Sequence, residues 1–295
     1  MNKFPHILRL LRPEQWIKNS FVFLPLFLNG DLADVPRLLM TTVAFFLFCL
    51  TSSAVYCIND AVDAPYDAVN PDKCRRPVAS GALSRREAVG VACGLLVIVV
   101  CAAAFSGFPT LRSLLLPLGV YFVLNLAYSL GLKRVPVLDV VIISGCFLLR
   151  VWTGGIAAGI RLTIWTLVLV FLLTLMLAVG KRRHEAWLCE NEGVVSRSNI
   201  RSYDVQILNW MLVVIGIAAL VVYFIWTKSA YVRDRFSTDL VPFTTILVSI
   251  GILRYLWLLI RKDSGGNPTE LLLQDNVIRL TVLIWIGSFA FFIYT

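Results

Sequence analysis

Asn59-Asp60-Ala61-Val62-Asp63-Ala64-Pro65-Tyr66-Asp67 follows directly on an apolar run that begins near residue 36 and is long enough to cross a bilayer. On a helix, Asp60, Asp63 and Asp67 stand at i, i+3 and i+7, with Asn59 one turn before Asp63, so their oxygens leave from one stripe. Three like charges this close repel one another. A bound Mg²⁺, which takes a few carboxylate oxygens and completes its shell with water and substrate phosphate, removes the repulsion and creates a diphosphate site. The spacing points to diphosphate chemistry at a membrane face. Pro65, which has no backbone donor, is expected to kink or end the helix near Ala64.

The rest of the chain agrees with a membrane setting. With 58% hydrophobic and 15% charged residues and a mean hydropathy of +0.79, the 295 residues describe an all-α polytopic membrane protein. Apolar stretches recur at about 16–30, 36–58, 85–105, 111–130, 137–159, 163–180, 205–227, 239–260 and 272–294, which predicts nine transmembrane helices in a single integral-membrane domain over 1–295. With the N-terminus inside, eighteen of the 27 Lys and Arg residues fall in inner segments, six fall outside and three lie within spans. That bias puts the N-terminus in the cytoplasm and the C-terminus outside. The polar stretches at about 59–84, 131–136, 181–204 and 261–271 are then cytoplasmic loops that cap the bundle and must carry any chemistry.

The net charge of +9 is spread over short loops, with no basic domain apart from the membrane part, so nucleic acid is not the expected partner. Some of these cations only set topology and meet lipid phosphate. The seven cysteines, Cys49, Cys57, Cys74, Cys93, Cys101, Cys146 and Cys189, show no paired spacing, so neither a disulfide framework nor a zinc site is expected.

A basic Pro/Gly turn, Asn70-Pro71-Asp72-Lys73-Cys74-Arg75-Arg76-Pro77-Val78-Ala79-Ser80-Gly81, follows the acids. Lys73 and Arg76 can donate to the diphosphate oxygens that a metal on Asp60, Asp63 and Asp67 leaves open. The plainer alternative is that these acids and bases pair with one another at the membrane surface.

These residues resemble the UbiA superfamily of intramembrane prenyltransferases, whose first acidic signature, N-D-x-x-D-x-x-x-D, is met by Asn59, Asp60, Asp63 and Asp67. The resemblance implies nine helices around a central cavity with a cytoplasmic cap. It also implies Mg²⁺ on Asn59, Asp60, Asp63 and Asp67. Members ordinarily carry a second acidic signature after the sixth helix; here the matching stretch is Gly180-Lys181-Arg182-Arg183-His184-Glu185-Ala186, which is basic. A cationic pocket takes a phosphate directly, without a bridging metal.

That departure, with Arg12-Pro13-Glu14-Gln15-Trp16-Ile17-Lys18-Asn19, Tyr128-Ser129-Leu130-Gly131-Leu132-Lys133, Arg150-Val151-Trp152-Thr153-Gly154-Gly155 and Gly265-Gly266-Asn267-Pro268-Thr269-Glu270, resembles one branch of the superfamily. Its members use phosphoribosyl diphosphate as donor and a polyprenyl phosphate as acceptor, and make arabinan precursors for the cell envelope. The resemblance implies that Asp60, Asp63, Asp67 and Lys181 serve catalysis. Lys133, Arg134, Lys181 and Arg182 are the expected contacts of the acceptor phosphate or the donor 5-phosphate, joined by Lys18 and Tyr128. Arg150, deep in the fifth span, is either a structural partner or a functional cation. Arg254, Asp275 and Arg279, near the inner ends of the last two spans, either pair with each other or line the cavity.

Two rival readings stand beside this one. An ordinary prenyltransferase would move a prenyl group to an aromatic or lipid acceptor, but lacks its second acidic signature here. A non-catalytic transporter of phosphorylated lipids would explain spans and cations but not metal-ligand spacing beside a basic turn.

Overall fold

The computed structural model describes residues 3–70, 73–193, 200–236, 238–261 and 274–294. Every regular element described is helical: α1 (Phe4–Leu11), a 3₁₀ helix (Pro13–Phe23), α2 (Leu24–Leu28), α3 (Val35–Ala68), α4 (Arg85–Phe105), α5 (Pro109–Ser113), α6 (Leu115–Leu130), α7 (Leu138–Ala158), α8 (Ile164–Glu192), α9 (Val205–Thr227), α10 (Ala230–Phe236), α11 (Thr244–Arg261) and α12 (Asn276–Tyr294), with short 3₁₀ turns between some of them. Among the described residues, eight helices are long and apolar enough to cross a membrane. The stretch expected to span at about 16–30 is not one of them. It forms the 3₁₀ helix followed by the five-residue α2.

The chain divides into two compact units, Met1–Lys133 with Leu149–Arg161, and Arg134–Leu148 with Leu162–Thr295. In the first, α3 packs on α1, the 3₁₀ helix, α4 and α6. Asp34 caps α3 by accepting from the Arg37 amide at 3.1 Å, and Pro36 sits in its first turn, where a missing donor costs nothing. Small residues explain the close fit to α4: Ala54, Cys57, Ala61 and Ala64 recur at helical spacing and meet Ala88 and Ala92. Ser84 and Glu87 form a reciprocal capping box at the start of α4.

Two expected loop boundaries move. α3 continues through Pro65 to Ala68, so the acids stand on regular helix rather than in a loop. Pro65 sits one turn from the end, where only the Ala61 carbonyl loses a partner, and packing of Ala61 and Ala64 holds that turn. Likewise α8 runs unbroken to Glu192 and ends on left-handed Gly193, so the basic stretch after residue 180 is helical. Residues 194–199 of the expected 181–204 loop, 262–271 of the expected 261–271 loop, the Gly265–Glu270 stretch, Pro71 and Asp72 lie outside the described residues.

The second unit packs α8 on α9 and α11 on α9 and α12. Leu208, Leu212, Ile215 and Ala219 of α9 face Met176, Val179, Ile252 and Tyr255 in one apolar core. Gly180 lets Tyr255 come close to α8, since a Cβ there would lie 2.4 Å from the phenol oxygen.

Candidate active site

The acidic stripe ends α3 in the first unit. Asp60 and Asp67 are buried and Asp63 is half-buried. Each acid faces a cation from another segment. Arg12 Nη2 lies 2.6 Å from Asp60 Oδ1. Arg76 Nη1 lies 2.6 Å from Asp67 Oδ2 and 3.4 Å from Asp60 Oδ1, bridging acids two helical turns apart. Lys133 Nζ donates to both oxygens of Asp63, at 2.7 and 2.9 Å. The Ser129 hydroxyl, near the end of α6, donates to Asn59 Oδ1.

Local chain geometry puts these cations in place. Pro13 cannot continue α1, so the chain turns at Arg12, which takes a left-handed conformation (φ 51°). The turn is fixed on α3 because Ser53 Oγ donates to the Leu11 carbonyl at 2.8 Å and Trp16 Nε1 donates to Ser53 Oγ at 3.0 Å. The Arg12 guanidinium also stacks over Tyr56, 5.2 Å from the ring centre. The basic turn after Asn70 folds back through Arg76 N to Lys73 O and Ser80 N to Arg76 O hydrogen bonds.

The pairing expected as the plainer alternative is therefore what the side chains do. Among the described residues no three acidic, His or Cys side chains converge as a metal cage. The donor set still suits Mg²⁺, because it consists of carboxylate and amide oxygens. Asp60 Oδ2 is buried with no hydrogen-bond donor, an oxygen that a hard cation would satisfy.

Of the other residues singled out, Lys73 lies in the turn that carries Arg76, Lys18 is half-buried on the 3₁₀ helix, and Tyr128 is half-buried one residue before Ser129. Arg150 is buried, donates from Nε to Asn19 Oδ1 at 2.9 Å and from Nη2 to Tyr121 Oη at 3.3 Å, and stacks on Phe48 and Tyr121. Asn19 in turn donates to Ser52 Oγ at 3.2 Å. Arg150 ties α7 to the 3₁₀ helix and α3, which is the structural half of its expected role.

The second unit holds Arg134, Lys181 and Arg182. Arg134 and Lys181 are exposed, whereas Arg182 is fully buried. Its Nε lies 2.6 Å from Asp139 Oδ2 and its Nη1 2.7 Å from Glu185 Oε2, so these donors face carboxylates rather than an open site. Tyr203 Oη donates to Asp139 Oδ1 at 2.6 Å, and burial together with this carboxylate pushes the phenol pKa up to about 12. Arg254 Nη2 pairs with Asp275 Oδ2 at 2.9 Å, as expected of two charges near the inner ends of the last two spans, while Arg279 donates to Asn276 Oδ1.

Arg12, Asp139 and Tyr203 are among the residues of these clusters that had no assigned role in the sequence reading. For Arg12 a signal existed, since an Arg directly before a helix-breaking Pro is held where the chain must turn. Asp139 and Tyr203 give no local signal, because their meaning comes from contacts across 64 residues of chain.

Comparison with known proteins agrees with the geometry. Residues 20–273 match the UbiA prenyltransferase family. The decaprenyl-phosphate phosphoribosyltransferase of Mycolicibacterium smegmatis is 36% identical over 98% of this chain and 92% of its own length. That of Corynebacterium glutamicum is 34% identical over 98% of this chain and 86% of its own. Among solved structures, a UbiA homolog from Archaeoglobus fulgidus bound to DMAPP and Mg²⁺ superposes with a TM-score of 0.67 at 17% identity, covering 97% of this chain and 98% of that one. Digeranylgeranylglyceryl phosphate synthase gives 0.67 at 17% identity over 98% and 99%. At that identity the two structures establish the shared fold.

Proposed function

The chain belongs to the UbiA prenyltransferase family, and from that premise we propose that it transfers a 5-phosphoribosyl group from phosphoribosyl diphosphate to a polyprenyl phosphate, releasing diphosphate. Relatives named for phosphoribosyl transfer to decaprenyl phosphate align with nearly its whole length. The observation that carries the site assignment is the pairing of Asp60 with Arg12, Asp63 with Lys133 and Asp67 with Arg76, which also reaches Asp60. Three acids and three cations at one helix end suit an exchange of partners, in which the acids would hold a metal and the cations would meet phosphate oxygens.

Mg²⁺ on Asn59, Asp60, Asp63 and Asp67 would supply charge neutralisation to the departing diphosphate. Arg12, Arg76 and Lys133 donate to the remaining diphosphate oxygens, the two arginines as planar forks, with Lys73 beside them in the same turn. The anomeric carbon–oxygen bond to diphosphate breaks while an oxygen of the lipid phosphate forms the new bond to that carbon. A phosphate monoester is already anionic at neutral pH, so positioning and electrostatics suffice without a general base. Lys181 and Arg134 supply the phosphate contacts that the missing second acidic signature would otherwise give to a metal, with Lys18 and Tyr128 as further substrate contacts. Arg182 acts as a strut behind Lys181.

The orientation bias of Lys and Arg supports a reading with the N-terminus and this site on the cytoplasmic side, and the family relationship supports one integral-membrane domain in a bacterial inner membrane. A ninth crossing is supplied by the 3₁₀ helix and α2: 11 residues at about 2.0 Å and five at about 1.5 Å reach roughly 30 Å, the thickness of the hydrocarbon layer. The lipid product is read as a precursor for cell-envelope arabinan or a related glycan.

The deciding experiment follows diphosphate release by the purified protein in nanodiscs with Mg²⁺, phosphoribosyl diphosphate and a polyprenyl phosphate, with mass spectrometry of the lipid. Lipid-dependent release and a lipid heavier by one phosphoribosyl group are expected. Diphosphate release from a prenyl diphosphate with an aromatic acceptor, and none from the sugar donor, overturns the proposal in favour of prenyl transfer.

A further inference from the structure

Val137 is a β-branched residue with φ 67°, in the left-handed region that such side chains rarely occupy. It is the last residue before α7. Its amide donates to Tyr203 Oη at 2.8 Å, and the same hydroxyl donates to Asp139 Oδ1 at 2.6 Å. Asp139 Oδ1 also accepts from the Val140 amide at 2.9 Å, and its other oxygen takes Arg182 Nε at 2.6 Å. One carboxylate, 0% exposed, thus fastens together the entry of α7, the α8 turn at Arg182 and the segment at Tyr203.

Such an arrangement is expensive. A buried ionic network generally contributes less to stability than apolar packing of the same volume, and a left-handed Val adds steric cost, so both persist where the surroundings over-determine them. The exposed cations beside the network suggest what is being held. Arg134 stands three residues before Val137, and Lys181 directly before Arg182; both cations are exposed, whereas Asp139 and Arg182 are buried.

We propose that Tyr203 is a positioning residue for the lipid substrate: by holding Val137 in its left-handed turn and Asp139 on Arg182, it fixes Arg134 and Lys181 to receive the phosphate of a polyprenyl phosphate. The assignment of that phosphate to these two cations rests on the proposed transfer. The raised phenol pKa keeps the hydroxyl a donor to Asp139 throughout the physiological range.

Tyr203→Phe keeps the ring and removes the hydroxyl. Val137→Gly removes the steric cost of the left-handed turn, since glycine adopts it freely. Binding of polyprenyl phosphate to the full chain in nanodiscs, measured without the sugar donor, is read beside hydrogen exchange of residues 135–140 and the melting temperature. Tyr203→Phe is expected to speed exchange at the Val137 and Val140 amides and to weaken lipid-phosphate binding about tenfold, the scale of one buried hydrogen bond. Val137→Gly by itself, which opens φ of both signs to the turn while keeping the Tyr203 hydroxyl, should weaken binding in the same direction, and wild-type binding by it would overturn the role of the left-handed turn.

Faster exchange with unchanged binding overturns the positioning role, and unchanged exchange overturns the clamp itself. Should Tyr203→Phe not fold, Asp139→Asn repeats the test from the other end of the bond, with normal binding again overturning the proposal. A wild type that binds the lipid phosphate yet transfers no phosphoribosyl group would sink the proposed reaction and leave these binding outcomes to decide the clamp.

Discussion

Arg12 and Asp60, 48 residues apart in the chain, meet at 2.6 Å, so a left-handed residue ending the first helix supplies the counter-charge of a carboxylate only 1% exposed. Removing the cation leaves a buried anion with less compensation, which typically costs about 3–5 kcal/mol. Arg12→Met is therefore expected to lower the melting temperature and to cut diphosphate release at least about 100-fold. Combining it with Asp60→Asn should restore much of the melting temperature and none of the turnover; recovery of both would show that the pair is structural only.

Mg²⁺ dependence is expected to act through the stripe on α3. Chelation should abolish diphosphate release, and Asp63→Ala should raise the Mg²⁺ concentration needed for half-maximal rate by about tenfold or more. Titrating release against Mg²⁺ for wild type and variant checks this, and identical curves would remove Asp63 from the metal site.

Lys133→Gln tests whether a cation that pairs with an acid also meets substrate. The Lys133–Asp63 pair is half-exposed, at 25% and 28%, so its loss should change stability by less than about 1 kcal/mol. KM for phosphoribosyl diphosphate is expected to rise roughly tenfold with melting unchanged, a fall of about 1.4 kcal/mol in binding. A large melting shift with normal KM would make Lys133 a strut.

Gly154 on α7 gives a packing prediction free of charge effects. A Cβ there would lie 1.9 Å from the Val22 carbonyl oxygen, which is backbone and cannot step aside. Gly154→Ala should destabilise the protein by roughly 1–3 kcal/mol, read as a lower melting temperature in detergent. Gly90→Ala on α4, with nothing within 4 Å of the new methyl, should leave melting unchanged or raise it slightly.

Much of this was legible from the chain alone because the strongest signals are local. Apolar length marks a span whatever surrounds it, and the spacing of Asn59, Asp60, Asp63 and Asp67 makes one helical stripe without further information. What sequence hid depends on tertiary contact. Pro65 looked like a stop, yet packing on α4 carries the helix past it. Residues 13–23 are apolar enough to suggest an α-helix, but they tighten into a 3₁₀ helix where buried Asn19 meets Ser52 and Arg150 and where Gly154 admits Val22. Arg182 read as a phosphate ligand because a basic run shows its charge and conceals its partners; Asp139 lies 43 residues away.

The length of α3 has a bearing on how two unlike substrates could meet. Its 34 residues extend about 51 Å, against a hydrocarbon layer of about 30 Å. A helix entering that layer near its capped first turn emerges with some 20 Å to spare, and the last ten residues, Asn59 to Ala68, fall in that overhang. With that entry the carboxylates would stand at the height of lipid headgroups, where the proposed sugar diphosphate would keep its hydration and the polyprenyl phosphate its tail in oil. Under the proposed transfer neither reactant would have to be carried across the boundary between water and membrane, because a helix of this length brings its charged end to that boundary.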